Sequence, residues 1–199
     1  MSKIVLASGN KGKLKEFSEL LSGMQVELIP QSALDVPEAD ETGLTFVENA
    51  IIKARNACVH TGLPAIADDS GIEVDALNGA PGIYSARYSG VNASDNANLQ
   101  ALLEAMVDKK DRTARYQCVI VYMRHAKDPT PLVCQASWEG SLLTQARGDG
   151  GFGYDPIFWL EENNCTSAEL SPQQKHAISH RGKSVRQFLK QFQQEYLPS

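Results

Sequence analysis

Apolar and polar positions along the chain change period several times, and each period predicts an element. Ile4-Val5-Leu6-Ala7 is a short continuous apolar run, the pattern of a strand buried on both faces, and it ends in Ser8-Gly9-Asn10-Lys11-Gly12-Lys13. Leu14, Phe17, Leu20 and Leu21 then fall at helical spacing, and Ser22-Gly23 closes that helix. Gln25 to Pro30 predicts a second strand, and Gln31 to Gly43 an acidic loop holding Asp35, Glu38, Asp40 and Glu41. Thr45-Phe46-Val47-Glu48 is a capping box that opens a further helix. Val47, Ile51, Ala54 and Cys58 form its expected buried stripe, which puts Lys53 on a different face, pointing into a cleft.

Pro64 to Ala67 predicts a strand leading into Asp68-Asp69-Ser70-Gly71. Asp, Ser and Gly all favour turns for local reasons, so the aspartate pair is expected at a strand end, before a glycine turn. Ile72-Glu73-Val74 alternates like an exposed strand, and Asn78-Gly79 and Pro81-Gly82 mark turns. Leu99, Leu102, Leu103 and Met106 predict a helix starting near Ser94 or Asp95. Arg115 to Met123 reads as a strand buried mostly on both faces, paired with Leu132 to Trp138 across the turn Asp128-Pro129. A last helix carries Val185, Phe188, Leu189 and Phe192 on one face. Strand-loop-helix units together with an antiparallel pair predict an α/β fold with a long mixed sheet. No repeat or flexible linker interrupts the sequence, so a single domain is expected over residues 1–199.

Composition narrows the function classes. The 199 residues are 42% hydrophobic and 22% charged, ordinary for a globular protein and far from disorder. No apolar stretch has the length of a membrane span, and no signal peptide precedes the first strand, so a cytoplasmic protein without a membrane partner is expected. A net charge of −5 opposes nonspecific binding to nucleic acid. Cys58, Cys118, Cys134 and Cys165 are widely spaced and suggest neither a zinc site nor a redox motif; Cys58 and His60 lack a second ligand pair.

Four stretches carry candidate chemistry. Ser8 to Lys13 joins a strand to a helix N-terminus, where exposed N–H groups and lysines suit an anion, although a Walker pattern does not fit; a solvated surface loop is the plain alternative. Asp68 and Asp69 offer hard oxygen ligands of the kind that suit Mg²⁺, and a solvated turn is the competing reading. Gly148 to Pro156 packs glycines around Phe152, which suits a backbone laid against a flat ligand with Phe152 stacked on a purine, or else a bulged hairpin with Phe152 in the core. Lys175 and Ser179-His180-Arg181-Gly182-Lys183 collect cations at a helix start, as a binding site or as surface charge. Arg87, among Tyr84 and Tyr88, suits either a phosphate or a tyrosine face.

Six motifs in order then point to one family. They are Ser8-x-Asn10-x-x-Lys13, Glu41-Thr42-Gly43-x-Thr45-Phe46-x-Glu48-Asn49-Ala50, Ala67-Asp68-Asp69-Ser70-Gly71, Pro81-Gly82-x-x-Ser85-Ala86-Arg87, Gly151-Phe152-Gly153-Tyr154-Asp155-Pro156 and Ser179-His180-Arg181. In these the chain resembles, nearly end to end, the inosine/xanthosine triphosphate pyrophosphatases. The resemblance implies hydrolysis of ITP, dITP and XTP to the monophosphate and pyrophosphate by a Mg²⁺-dependent homodimer. It also implies an α/β fold of two lobes with the site in the cleft between them. Carried over residue by residue, Ser8, Gly9, Asn10, Lys11, Gly12 and Lys13 hold the triphosphate, with Lys53 as a further phosphate contact. Asp69 is the general base and a metal ligand, Glu41 lies near the metal, and Ser70 touches substrate. Phe152, Gly153, Tyr154, Asp155, Lys175, His180 and Arg181 enclose the base and sugar. The alternatives are a house-cleaning pyrophosphatase for another modified or pyrimidine triphosphate, and a nucleotide-sensing module that binds without turnover.

Overall fold

A computed structural model describes residues 2–9, 14, 18, 19, 22 and 26–196. Asn10, Lys11, Gly12 and Lys13, and most of the helix predicted over Leu14 to Leu21, lie outside the described residues. The described residues form a seven-stranded sheet. Its strands are β1 (Ser2–Ala7), β2 (Val26–Pro30), β3 (Ala65–Val74), β4 (Thr113–Met123), β5 (Leu132–Leu142), β6 (Phe158–Leu160) and β7 (Cys165–Thr166), in the order β2-β1-β3-β4-β5-β6-β7. β1 is parallel to both β2 and β3, whereas β6 is antiparallel to β5 and β7, so the sheet is mixed. The described helices are α1 (Phe46–Thr61), α2 (Asp95–Ala105), α3 (Pro172–Ile178) and α4 (His180–Tyr196).

The chain divides into two compact units, each made of several chain segments. The first holds residues 1–69, 118–136 and 181–199; the second holds residues 70–117 and 137–180. Each has its own core. In the first unit, Ile4, Leu6, Ile66, Ile120 and Tyr122 pack with Val185, Phe188 and Phe192 of α4. The alternate residues Val5, Ala7, Ala65 and Ala67 are also fully buried, as the uninterrupted apolar run of β1 requires. In the second unit, Ile72, Val74, Leu99, Leu102, Met106, Tyr116, Trp138 and Phe158 form the core.

Local signals placed most helix starts well. Thr45 caps α1 by accepting from Glu48 N, while Glu48 Oε2 accepts from Leu44 N at 2.9 Å. Ser94 caps α2 in the same way through Ala97 N. The stripe of α1 differs from the expected one. Phe46, Asn49, Ala50, Ala54, Ala57 and Cys58 are buried, and Lys53 falls at helical spacing among them, with 13% of its side chain exposed. Small alanines let α1 approach β1 closely, and that contact selects the face rather than the larger Val47 and Ile51.

The second correction concerns the aspartate pair. Asp68-Asp69-Ser70-Gly71 does not end a strand or form a turn, because β3 runs unbroken for 10 residues from Ala65 to Val74. Pairing with β1 fixes Ala65, Ile66 and Ala67 opposite Val5, Leu6 and Ala7, and the buried Ile72 and Val74 anchor the far end, so tertiary contacts override local turn preference.

The turn after β4 is closed by Asp128, which accepts hydrogen bonds from Arg124 N, Arg124 Nε and Thr130 N. The Arg124 side chain in particular holds the Asp128 carboxyl well below the usual aspartate range. A folded-state value below the unfolded one means that this stabilisation is complete above the ordinary value of 3.8 and is lost as pH falls through the range beneath it. Urea midpoints are therefore expected to drop as pH is lowered below 3.8, with part of the drop absent in Asp128→Asn; identical acid dependence in the two proteins would refute the assignment.

Candidate active site

β-strand alternation decides where the two adjacent aspartates point. Residues 65, 67 and 69 of β3 share one face and residues 66 and 68 the other. Asp69 meets α1, where Lys53 Nζ donates to Asp69 Oδ1 at 2.8 Å. Asp68 meets the start of α4, where Arg181 Nη2 lies 3.8 Å from Asp68 Oδ2. Both members of that second pair are almost fully buried, at 1% and 2% exposure of their side chains. The aspartates are thus chemically unlike: one answers to a lysine at the end of a flexible stem, the other to a buried guanidinium.

Lys53 has a second carboxylate within reach, with Glu41 Oε1 3.1 Å from Nζ. Burial by itself would lower the ammonium pKa, but the charges of Asp69, Asp68 and Glu41 outweigh it and hold Lys53 above its ordinary value. The loop that brings Glu41 here is tied to the first turn of α1. Gly43 N donates to Asn49 Oδ1 at 2.9 Å, and Leu44 N to Glu48 Oε2. Gly43 has no room for a side chain, since an added Cβ would lie 2.6 Å from Glu48 Cβ and 2.7 Å from Asn49 Oδ1. The sequence reading used Glu48 as a cap but missed this second role of the Glu48-Asn49 pair; the signal was the glycine six residues before Asn49. Ser8 is buried at the end of β1, and Glu38 lies against the exposed Gly9, where an added Cβ would be 2.2 Å from Glu38 Oε1.

In the second unit, Asp155 organises the glycine loop. Its Oδ2 accepts from Lys175 Nζ at 2.6 Å and from Phe152 N at 2.9 Å. Its Oδ1 accepts from Ser167 Oγ at 2.8 Å and from Tyr116 OH at 3.4 Å. Gly151 is in the left-handed region at φ 74°, and a Cβ there would be 2.1 Å from Asp155 Oδ2. Glycine at that position makes room for the protein's own Asp155 carboxylate. The Tyr154 side chain is likewise spent on the protein, since it is buried and its hydroxyl donates to Ser85 O at 2.7 Å. Phe152 remains 38% exposed with Lys175 Nζ 4.6 Å from its ring centre, and Gly153 N donates to Asp95 Oδ2. His180 stacks on Tyr116 at 4.7 Å and 7°, with Trp138 beyond, an aromatic bed that the sequence reading did not foresee. Arg87 packs over Tyr84, 5.3 Å from the ring centre.

The Ham1 family model matches residues 4–191. The chain belongs to the Ham1 family. A dITP/XTP pyrophosphatase of Vibrio cholerae is 59% identical over 98% of this chain and 98% of its own length, and one of Thioalkalivibrio sulfidiphilus is 59% identical over 96% and 98%. Among solved structures, a HAM1 protein from Coxiella burnetii superposes with a TM-score of 0.93 at 51% identity, covering 98% of this chain and 100% of that one. The Staphylococcus aureus Ham1 protein gives 0.88 at 39% identity, again over 98% and 100%. The mixed sheet flanked by helices is therefore the Ham1 fold, and the Ham1 match takes in both units.

Within this Ham1-family chain, Asp69, Lys53 and Glu41 come together in the first unit, and Phe152, Asp155 and Lys175 in the second. Ser70, directly after Asp69, is half-buried, and Arg181 is buried rather than part of a charged surface. The four cysteines are thiols, and burial pushes those of Cys58 and Cys134 up to about 11, so they stay protonated near neutral pH. No helix among the described residues is long and apolar enough to cross a membrane.

Proposed function

We propose that this chain hydrolyses the non-canonical purine triphosphates dITP, XTP and ITP to the nucleoside monophosphate and pyrophosphate, which removes them from the nucleotide pool. The observation that carries the reading is the buried Asp69 carboxylate held 2.8 Å from Lys53, a base beside a cation, at the carboxyl end of a parallel strand pair. Support comes from relatives named dITP/XTP pyrophosphatase at 59% identity. The family resemblance brings with it Mg²⁺ dependence, a homodimer and a cytoplasmic setting.

The residues present fit a divalent ion. Asp69 and Glu41 present hard oxygens to one ammonium, and among the described residues no group of three His, Cys, Asp or Glu gathers as a complete metal cage. Mg²⁺ commonly takes one or two carboxylates and completes its shell with substrate phosphates and water. When bound, the ion would neutralise charge on the phosphate oxygens and on the departing pyrophosphate.

The protein's own groups supply the rest. Asp69 orients and deprotonates a water for in-line attack at the α-phosphorus. Lys53, with Lys11 and Lys13 of the first loop, offsets the negative charge that would repel that water. Ser8, Gly9, Asn10 and Gly12 contribute to the same phosphate cradle, and Ser70 lies next to the reacting group. Phe152 provides the exposed ring on which a purine stacks, and Lys175, held beside that ring by Asp155, donates to the carbonyl at purine position 6. Adenine presents an amino group there, so donor faces donor. Tyr154, Asp155, His180 and Arg181 act by fixing the walls of these subsites, given how deeply they are buried.

The test is an assay with Mg²⁺ and ITP, dITP, XTP, ATP, GTP or dTTP supplied separately, following pyrophosphate and orthophosphate. Pyrophosphate is expected as the primary product. ATP should fall behind ITP by a factor on the order of 10⁴ in kcat/KM, the discrimination that buried mismatched donors give. Orthophosphate as primary product, or equal rates on ATP and ITP, would refute the proposal; binding without any product would make the chain a nucleotide sensor.

A further inference from the structure

The oxygens that Asp69 and Glu41 would offer a divalent ion already receive a cation from within the protein. Lys53 Nζ sits 2.8 Å from Asp69 Oδ1 and 3.1 Å from Glu41 Oε1, two charge-assisted contacts made by one largely buried side chain. Lys53 enters from the third turn of α1, the same helix pins the Glu41 loop through Glu48 and Asn49, and Asp69 comes from β3, so the ammonium meets its two carboxylates from a helix and a strand of one unit. A divalent ion arriving alone either displaces the ammonium from one of these contacts or takes the second oxygens of the same carboxylates with the ammonium still beside them; in both cases two positive charges share one largely buried site. The cost is electrostatic, and it acts where solvent screening is weak. A triphosphate changes the balance because it gives the displaced ammonium a new anionic partner.

We infer that Lys53 is an internal stand-in cation that makes divalent-ion binding conditional on the nucleotide. The inference rests on the reading of Asp69 and Glu41 as metal ligands. It adds to a simple phosphate contact a second function for Lys53, suppressing premature metal uptake. It also has a thermodynamic consequence. If the nucleotide draws Lys53 away from the carboxylates and so raises metal affinity, the metal raises nucleotide affinity by the same factor, and removing Lys53 must remove that part of the coupling.

The experiment measures binding of Mn²⁺ alone to the full chain by electron paramagnetic resonance of the free aqua ion, with calorimetry as a second readout. It is repeated with a non-hydrolysable α,β-methylene analogue of ITP. Lys53→Met keeps the apolar stem and removes the charge. Without nucleotide, Lys53→Met is expected to bind Mn²⁺ about tenfold more tightly than the wild-type chain, within the usual range of coupling between sites. With the analogue present the two proteins should converge, so the gain on adding nucleotide is about tenfold smaller in the variant. Lys53→Gln, which keeps a hydrogen-bond donor, should shift in the same direction and serves if the methionine variant does not fold. Equal or weaker Mn²⁺ binding by the folded variants, with wild-type binding intact, overturns the inference and leaves the proposed function standing. Failure of every form to bind Mn²⁺, with or without the analogue, removes Asp69 and Glu41 as ligands and overturns both.

Discussion

Asp69→Asn is expected to lower kcat by roughly 10²–10⁴ while leaving the fold intact, the range over which a positioned general base contributes. The substitution is nearly isosteric, and an amide oxygen can still accept from Lys53 in place of the carboxylate oxygen now 2.8 Å away. What is lost is basicity and the negative charge offered to a divalent ion, while Glu41 keeps a carboxylate 3.1 Å from Lys53. Melting temperature and circular dichroism should stay close to those of the wild-type chain. Asp68→Asn serves as the internal comparison because its neighbour carries a different signature. It leaves the Arg181 side chain, 2% exposed, facing a neutral group, so its principal effect is on stability. Turnover of Asp69→Asn near the wild-type rate would remove Asp69 from the proposed role, whatever Asp68→Asn did.

Asp155→Ala is expected to cost about 3–5 kcal/mol of stability, the usual penalty for breaking a buried ion pair by removing one member. Lys175 would keep its charge with 10% of its side chain exposed and no carboxylate at 2.6 Å. Phe152 N, Ser167 Oγ and Tyr116 OH would lose an acceptor in the same step. Urea unfolding reads the loss directly. Combining Asp155→Leu with Lys175→Met should recover part of it, because an apolar pair replaces an ion pair at lower cost than a lone buried charge. A single-variant loss below about 1 kcal/mol would mean that water or another side chain satisfies Lys175 equally well.

These two residues also show where the sequence was legible and where it was not. Elements governed by short-range chemistry could be read: the Thr45 cap, the Ser94 start, the Asp128 turn and the doubly buried β1 all follow from groups within a few residues of each other. The family was legible because six motifs occur in order. Features set by long-range contact were not. The turn-forming composition of Asp68-Asp69-Ser70-Gly71 concealed a strand held at both ends by distant partners. The stripe of α1 was read correctly at Ala54 and Cys58 but not at Val47 and Ile51, because the alanines that permit close packing carry little hydrophobic weight in a pattern. The glycines before Asp155 signalled a crowded backbone at three positions: Gly151 is crowded by the Asp155 carboxylate four residues further along, and Gly148 and Gly150 by Ala168, contacts that the sequence pattern does not name. Division into two units was legible only through the family resemblance, because each unit is assembled from separated segments, with no linker to mark a boundary.

The continuity of β3 has a consequence for how such a chain can change over time. Which carboxylate meets the lysine and which the arginine is a matter of parity, an odd or even count along the strand from Ala65. A loop such as the one at Asp128 absorbs an inserted residue by bulging outward. In β3 before Asp68 the same insertion exchanges the partners of the two aspartates, and deleting Asp68 turns the surviving carboxylate towards Arg181. Substitutions in this stretch can be graded in their effect, whereas changes of length are all or nothing, so the spacing between Ala67 and Asp69 is as much a part of the chemistry as the residues themselves.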